Sequence, residues 1–360
     1  MVPRGEPGRF DGILSARDVE RLISETGIRT PAFRLVRDGA PLPASSYTDD
    51  IPWRPSAFTG IADPWRVADE HARGATIVLQ ALHLHWRPAA LYCRDLERGL
   101  GFPVQANAYA TPASAQGFAV HHDTHDVFVL QVDGTKRWRV YAPLLELPLK
   151  DQRWSPELGD PGDPVLDVTL EPGDTLYLPR GWPHEAVTDR VSSLHLTIGL
   201  HPPTRLDALR AALEACGRED AAFRRTLAPD GTLPDDLLER LAARLAPEAV
   251  ARRARRRFVV SRRPIAADGL GQARAARQLG AHDLVARRET VVADLVLAGA
   301  ATLVFEGKEV RFPARAASAL AAAFDAGGPF RAADLPGPLD EAGRIVLVRR
   351  LVREGFLRAL

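Results

Sequence analysis

The chain has 360 residues, 46% of them apolar and 26% charged, with a formal charge of +1. That length holds two or three domains with substantial cores, and the composition is that of a globular protein. Near-neutrality excludes a whole-molecule field for steering onto nucleic acid. The two cysteines, Cys93 and Cys216, exclude a disulfide framework or a cysteine-based zinc site, and no run of about 18 apolar residues is present to cross a membrane. Residues 1–7 lack the apolar centre of a signal peptide, so a cytoplasmic protein is expected.

Residues 1–60, rich in proline and glycine, read as a covering arm. It holds one helical pattern from Ser15 to Thr26, with Ser15 as cap and Asp18 three residues on, an acidic variant of the capping box. Ala75–Gln80 reads as a strand and His85–Leu96 as a helix. From 103 to 202 the chain is β-rich. Val104–Tyr109 alternates, Asp126–Val132 is nearly continuous in apolar residues, Asp133-Gly134 signals a tight turn, and Arg137–Tyr141 reads as the strand returning from it. Glu171-Pro172-Gly173-Asp174 turns into the strand Thr175–Leu178, and Ser192–Leu200 is a further strand. Many short strands punctuated by Gly and Pro predict a jelly roll.

Beyond Pro202-Pro203 the period changes to helical, through Leu206, Leu209 and Leu213 and then Leu237, Leu238, Leu241 and Leu245, with a break at Pro229-Asp230-Gly231. So apolar a hairpin requires a packing partner. A third unit, 285–360, contains strands at Thr290–Leu297 and Ala301–Val310 around Gly299, then helices at Ala314–Phe324 and Glu341–Leu360. The arginine run at 252, 253, 255–257, 262 and 263 reads as a solvated helix face or a contact for an acidic partner rather than a nucleic-acid site.

Chemistry concentrates in Gln116-Gly117-Phe118-Ala119-Val120-His121-His122-Asp123 and in Pro179-Arg180-Gly181-Trp182-Pro183-His184. Read as a strand, the first segment points His121 and Asp123 to one face, and His184 completes two imidazoles and a carboxylate around one ion. That set suits non-haem Fe(II), with positions left for O2 and a bidentate cosubstrate. Of the neighbours, His122 falls on the opposite face, His125 shares parity with His121 and is assigned to the pocket rim, and Asp126 is expected to be solvated or hairpin-bonded. His195 faces the interior, where structural hydrogen bonding is its expected role. Lys136, three residues past the start of the Asp-Gly turn, reaches into the barrel, where a buried ammonium needs an anion; the distal carboxylate of 2-oxoglutarate meets that need.

These motifs resemble the JmjC-type 2-oxoglutarate oxygenases, and within them the ribosomal oxygenases that hydroxylate ribosomal proteins. The likeness is carried in order by Asn107-Ala108-Tyr109-Ala110-Thr111-Pro112, His121-x-Asp123, Gly134-x-Lys136-x-Trp138, Pro172-Gly173-Asp174, Pro179-Arg180-Gly181-x-x-His184 and Leu194-His195-Leu196-Thr197. It implies His121, Asp123 and His184 as iron ligands and catalytic residues, Lys136 as the anchor of 2-oxoglutarate, and Asn107 and Tyr109 as contacts for the polypeptide substrate. Lysine at 136 resembles the histidine-hydroxylating branch more than the arginine-hydroxylating one.

The expected architecture is a mainly β catalytic core, a double-stranded β-helix or jelly-roll cupin of JmjC type spanning 61–203. A helical dimerisation region follows at 204–284, and a winged-helix-like α+β domain at 285–360. The expected activity is Fe(II)- and 2-oxoglutarate-dependent hydroxylation of a histidine or arginine side chain in a ribosomal protein. The alternatives are hydroxylation of a biosynthetic peptide or small molecule, and a non-catalytic metal-binding cupin with a regulatory role.

Overall fold

The first helix, α1 (Ala16–Glu25), starts where its cap requires: the Ser15 hydroxyl accepts the Asp18 N–H at 3.2 Å while the Asp18 carboxylate accepts the Ser15 N–H at 2.9 Å. The computed structural model describes residues 2–266 and 268–360, which form two compact units. One runs up to Glu97 and resumes at Val104–His201; the other comprises Arg98–Pro103 and Pro202–Leu360.

After α1 come β1 (Phe33–Arg37), β2 (Ala40–Pro41), β3 (Thr48–Trp53), β4 (Ser56–Ala62), α2 (Pro64–Ala72), β5 (Thr76–Leu79) and α3 (Arg87–Leu100). The strands β6 (Val104–Thr111), β7 (Asp126–Gly134), β8 (Lys136–Val140), β9 (Leu166–Leu170), β10 (Thr175–Leu178), β11 (His184–Val187) and β12 (Ser193–Leu200) complete the first unit. Two antiparallel sheets face each other, a larger one ordered β10-β7-β12-β6-β5-β1-β2 and a smaller one ordered β11-β8-β9. Val127, Val129, Leu176 and Leu178 of the first pack against Trp138, Val140 and Leu170 of the second. This is the jelly roll that the sequence predicts. The arm contributes β1 to the larger sheet by pairing it with β5. Near its start, Arg4 pairs with the buried Asp174, which also accepts the Gly5 N–H at 3.2 Å.

Two expectations fail here. Residues 137–141 do not return along the strand that follows the metal motif: β7 pairs with β10 and β12, whereas β8 pairs with β11 and β9. The chain changes sheets at Gly134, where φ is +60° and a Cβ would stand 1.8 Å from the Ser192 carbonyl oxygen, so only glycine fits. The segment carrying His121 and Asp123 is also no regular strand. It is an extended loop between β6 and β7 held by isolated bridges, Gln116 to Val187 and His121 to His184.

In the second unit, α4 (Arg205–Glu219), α5 (Asp235–Ala243), α6 (Pro247–Ser261) and α7 (Gly269–Gln278) precede β13 (Leu284–Arg287), β14 (Ala293–Ala298), β15 (Ala300–Phe305) and β16 (Lys308–Phe312). Then come α8 (Ala317–Asp325), β17 (Phe330–Arg331), α9 (Glu341–Glu354) and β18 (Leu357–Ala359). The strand expected at 301–310 divides into β15 and β16 at Glu306-Gly307, both at positive φ. The last helix stops at Glu354 because Gly355, φ +84°, caps it in the left-handed region. Leu303, Phe305, Leu320, Leu351 and Phe356 centre this unit's core. Among the described residues no helix is long and apolar enough to cross a membrane.

Candidate metal centre and its cavity

His121 and His184 stand side by side because their backbones exchange hydrogen bonds, His121 N–H to His184 C=O at 3.1 Å and His184 N–H to His121 C=O at 2.8 Å. Asp123 is held by its own carbonyl, which accepts the Gly181 N–H at 2.9 Å. One donor atom from each of His121, Asp123 and His184 lies within 4.8 Å of the others. His184 Nε2 is 3.9 Å from an Asp123 oxygen.

Each imidazole is oriented through its other nitrogen. His121 Nδ1 meets the Ala119 carbonyl at 2.8 Å and His184 Nδ1 meets the Trp182 carbonyl at 3.0 Å. A carbonyl only accepts, so both Nδ1 atoms carry the proton and both Nε2 lone pairs remain for an ion. Burial, and then the nearby His121, hold His184 down to about 4, which keeps it in the neutral form that ligates. The donor set therefore fits a divalent transition metal.

The three residues open onto a cavity of about 250 Å³ within the barrel. Lys136 lies inside it, 4% exposed, with Nζ donating to the Thr111 hydroxyl at 2.9 Å. Among the described residues no carboxylate pairs with this amine, and burial pushes it down to about 7. Asn107 and Tyr109 also line the cavity. The Asn107 side-chain oxygen accepts the Ala81 N–H at 2.9 Å, and the Tyr109 ring stacks on His195 at 4.9 Å.

His125 lines the cavity as its parity suggests, stacked on His201 at 4.7 Å. His122 points away and is buried, its Nε2 meeting the Gln152 carbonyl at 3.1 Å. Asp126 is bonded rather than free, accepting from the Arg180 N–H at 3.0 Å and the Tyr177 hydroxyl at 3.3 Å. His195 is buried in the interior, yet its Nδ1 has no hydrogen-bond partner, against the expectation of a structural bond there. Its pKa falls well below the usual value through burial and the charge of Lys136.

Sequence reasoning missed Arg34, Phe118 and Trp138, which line the same cavity. The Arg34 guanidinium lies over the Phe118 ring at 5.5 Å, and Trp138 Nε1 is buried without a partner. Trp138 stands two residues past Lys136, so strand parity could have found it. Arg34 comes from β1, and no motif flags it.

Comparison with known proteins follows the same residues. The JmjC domain family matches residues 82–208. This segment is a JmjC domain. Curated relatives include the bifunctional lysine-specific demethylase and histidyl-hydroxylase NO66 of Drosophila persimilis, 36% identical over 195 residues, which are 54% of this chain and 27% of that protein. Ribosomal oxygenase 1 of Gallus gallus is 31% identical over 238 residues, 64% of this chain and 38% of that one. Human ribosomal oxygenase 1 is 43% identical over 143 residues, 38% of this chain and 22% of that one. The matched chain thus spans well under half the length of these relatives. Among solved structures, the Escherichia coli ribosomal oxygenase YcfD in complex with cobalt and 2-oxoglutarate shares the fold. Its TM-score is 0.57 at 18% identity, covering 100% of this chain and 94% of that one.

Removing the carboxylate should disarm the centre without unfolding the barrel. Asp123→Ala is expected to weaken Co(II) binding at least about 100-fold, beyond the usual cost of losing an outer-shell partner. Titration calorimetry on the apoprotein reads this directly, and unchanged affinity would show that the three side chains do not share an ion.

Proposed function

We propose that this protein is an Fe(II)- and 2-oxoglutarate-dependent hydroxylase that inserts one oxygen atom into a C–H bond of a histidine or arginine side chain in a ribosomal protein. The observation that carries the reading is the pairing of two features in one cavity: three metal-type donors on one side, and a buried ammonium without a counter-charge on another. The names of the relatives supply the substrate class.

His121, Asp123 and His184 would hold the iron through two imidazole nitrogens and one carboxylate oxygen. When bound, iron and 2-oxoglutarate would supply activation of O2, one atom of which enters the substrate C–H bond while the other enters succinate and CO2 is released. The chain's task is placement. Lys136 and the Thr111 hydroxyl would receive the distal carboxylate of the cosubstrate, offsetting the cost of burying the amine. Val127, Val129 and Leu178 wall the cavity with apolar surface and limit water. Asn107 and Tyr109 would orient the polypeptide so that one C–H bond faces the centre.

We also propose a cytoplasmic homodimer whose contact lies in the helical segment 204–284, with 285–360 as a winged-helix-like domain. Supporting the dimer, Leu209 and Leu213 on α4 and Leu238 on α5 are about half or more exposed. Supporting the domain, α7, α8 and α9 accompany the sheet β14-β15-β16.

Iron-loaded protein and 2-oxoglutarate incubated with ribosomes of the source organism should add one oxygen atom to a ribosomal protein, seen by mass spectrometry of its peptides. Turnover confined to a non-ribosomal peptide would replace the substrate assignment.

Lys136 gives a pH signature. The free amine, near 7, is mostly neutral at pH 8 and mostly charged at pH 6; once a carboxylate pairs with it, it is charged at both. Cosubstrate binding should take up close to one proton at pH 8 and almost none at pH 6, measured by calorimetry in buffers of different ionisation enthalpy. Lys136→Ala should abolish the uptake and raise the KM for 2-oxoglutarate.

Leu209→Glu with Leu213→Glu should convert a dimer to monomer in light scattering at micromolar concentration. A monomeric wild type would remove the dimer proposal.

A further inference from the structure

The second unit contains a cleft of about 730 Å³ between α7, α9 and the segment joining β16 to α8. Six arginines line it: Arg277 from α7, Arg311 from β16, Arg315 just after it, and Arg349, Arg350 and Arg353 from α9. Among the described residues no acidic side chain lines it. The whole chain carries only +1, so this is a local accumulation of charge and not a sample of a basic protein.

Four of the six arginines are also free to bind. Arg350 is paired with Glu354 at 2.8 Å, and Arg349 uses Nε on the Leu279 carbonyl at 2.7 Å. Among the described residues Arg277, Arg311, Arg315 and Arg353 have neither an ion-pair partner nor a hydrogen-bond acceptor for the guanidinium. The conspicuous arginine run on α6 behaves differently. There Arg255 pairs with Asp294, Arg256 pairs with Glu309, and Arg253 donates to the Arg244 carbonyl. The sequence run is therefore largely committed within the fold, while four of the six cleft arginines, Arg277, Arg311, Arg315 and Arg353, converge without counter-charges.

We propose that this cleft binds the phosphate backbone of a nucleic-acid strand. Protein partners meet surfaces whose centre is depleted of charge and whose signs are mixed, whereas nucleic-acid interfaces are strongly and uniformly positive. Guanidinium groups suit the occupant because each can give two parallel N–H bonds to one phosphate. The cleft floor, from Phe312, Leu339 and Leu347, offers apolar support to the arginine stems and no polar group that reads a base edge. Binding is thus expected to be indifferent to sequence and sensitive to salt.

The test uses the full chain, without metal or cosubstrate, and a fluorescein-labelled single-stranded RNA of about 20 nucleotides. Anisotropy titrations over a series of salt concentrations compare wild type, the cleft variant R311Q/R315Q/R353Q and the charge-matched variant R252Q/R253Q/R257Q on α6. Circular dichroism checks that each is folded. The cleft variant should bind at least tenfold more weakly, and its slope of log K against log salt should fall by about 2, or roughly 0.7 for each phosphate that is no longer neutralised. The α6 variant should keep the wild-type affinity and slope. Equal weakening in both variants, or no measurable binding by wild type at 0.15 M salt, would overturn the proposal. So would cleft-dependent binding of poly-glutamate with none of RNA, which would indicate an acidic polypeptide. Because no turnover is read, failure of the hydroxylase reading leaves the result intact.

Discussion

The reciprocal pair of backbone hydrogen bonds between His121 and His184 is the constraint on which the site depends. These residues are far apart in sequence, and neither the loop bearing His121 nor the turn preceding His184 belongs to a long strand pairing. Two N–H to C=O bonds of 3.1 and 2.8 Å fix them as neighbours, and the side chains inherit their spacing from the backbone. The Ala119 and Trp182 carbonyls then fix the rings. Orientation is therefore complete before any ion arrives, so little ligand ordering is left to oppose binding.

Lys136 adds the second requirement. Its burial would be a liability in a barrel made only for stability, since the Thr111 hydroxyl satisfies one donor and leaves the charge uncompensated. Thr111 is itself tied to Thr76 at 3.2 Å on the neighbouring strand, so the polar floor is preformed. Local cost of this kind, set beside three metal-type donors, is what distinguishes a working cavity from a packing defect.

How much of this was legible in the sequence follows from which contacts are local. The metal motif could be read from residue type and spacing, β6 from alternation, and β7, β10 and β12 from short strand-like runs set off by turn residues. Parity even placed His125 on the cavity wall and His122 away from it, although the segment is a bridged loop, because extended backbone alternates its side chains without a continuous partner. What failed was pairing. Nothing near Asp133-Gly134 reveals that the Ser192 carbonyl crowds the position, so a sheet change looked like a hairpin. In the same way β1, which brings Arg34 to the cavity, finds its partner β5 only after an intervening hairpin and helix. The α6 arginines were conspicuous because they are contiguous, whereas those of the cleft gather only when α7, β16 and α9 fold together.

The crossing at Gly134 also sets the phase of everything downstream of it. With a single residue, Thr135, between the glycine and β8, there is no slack to absorb a change in length. Strand geometry has a period of two. One amino acid inserted or deleted at this joint would rotate Lys136 and Trp138 to the outer surface and bring Arg137 and Arg139 inward, exchanging a lone amine for two guanidinium groups in the cavity. Natural variation in loop length should accordingly be tolerated on many edges of this barrel, but not at the step between its two sheets.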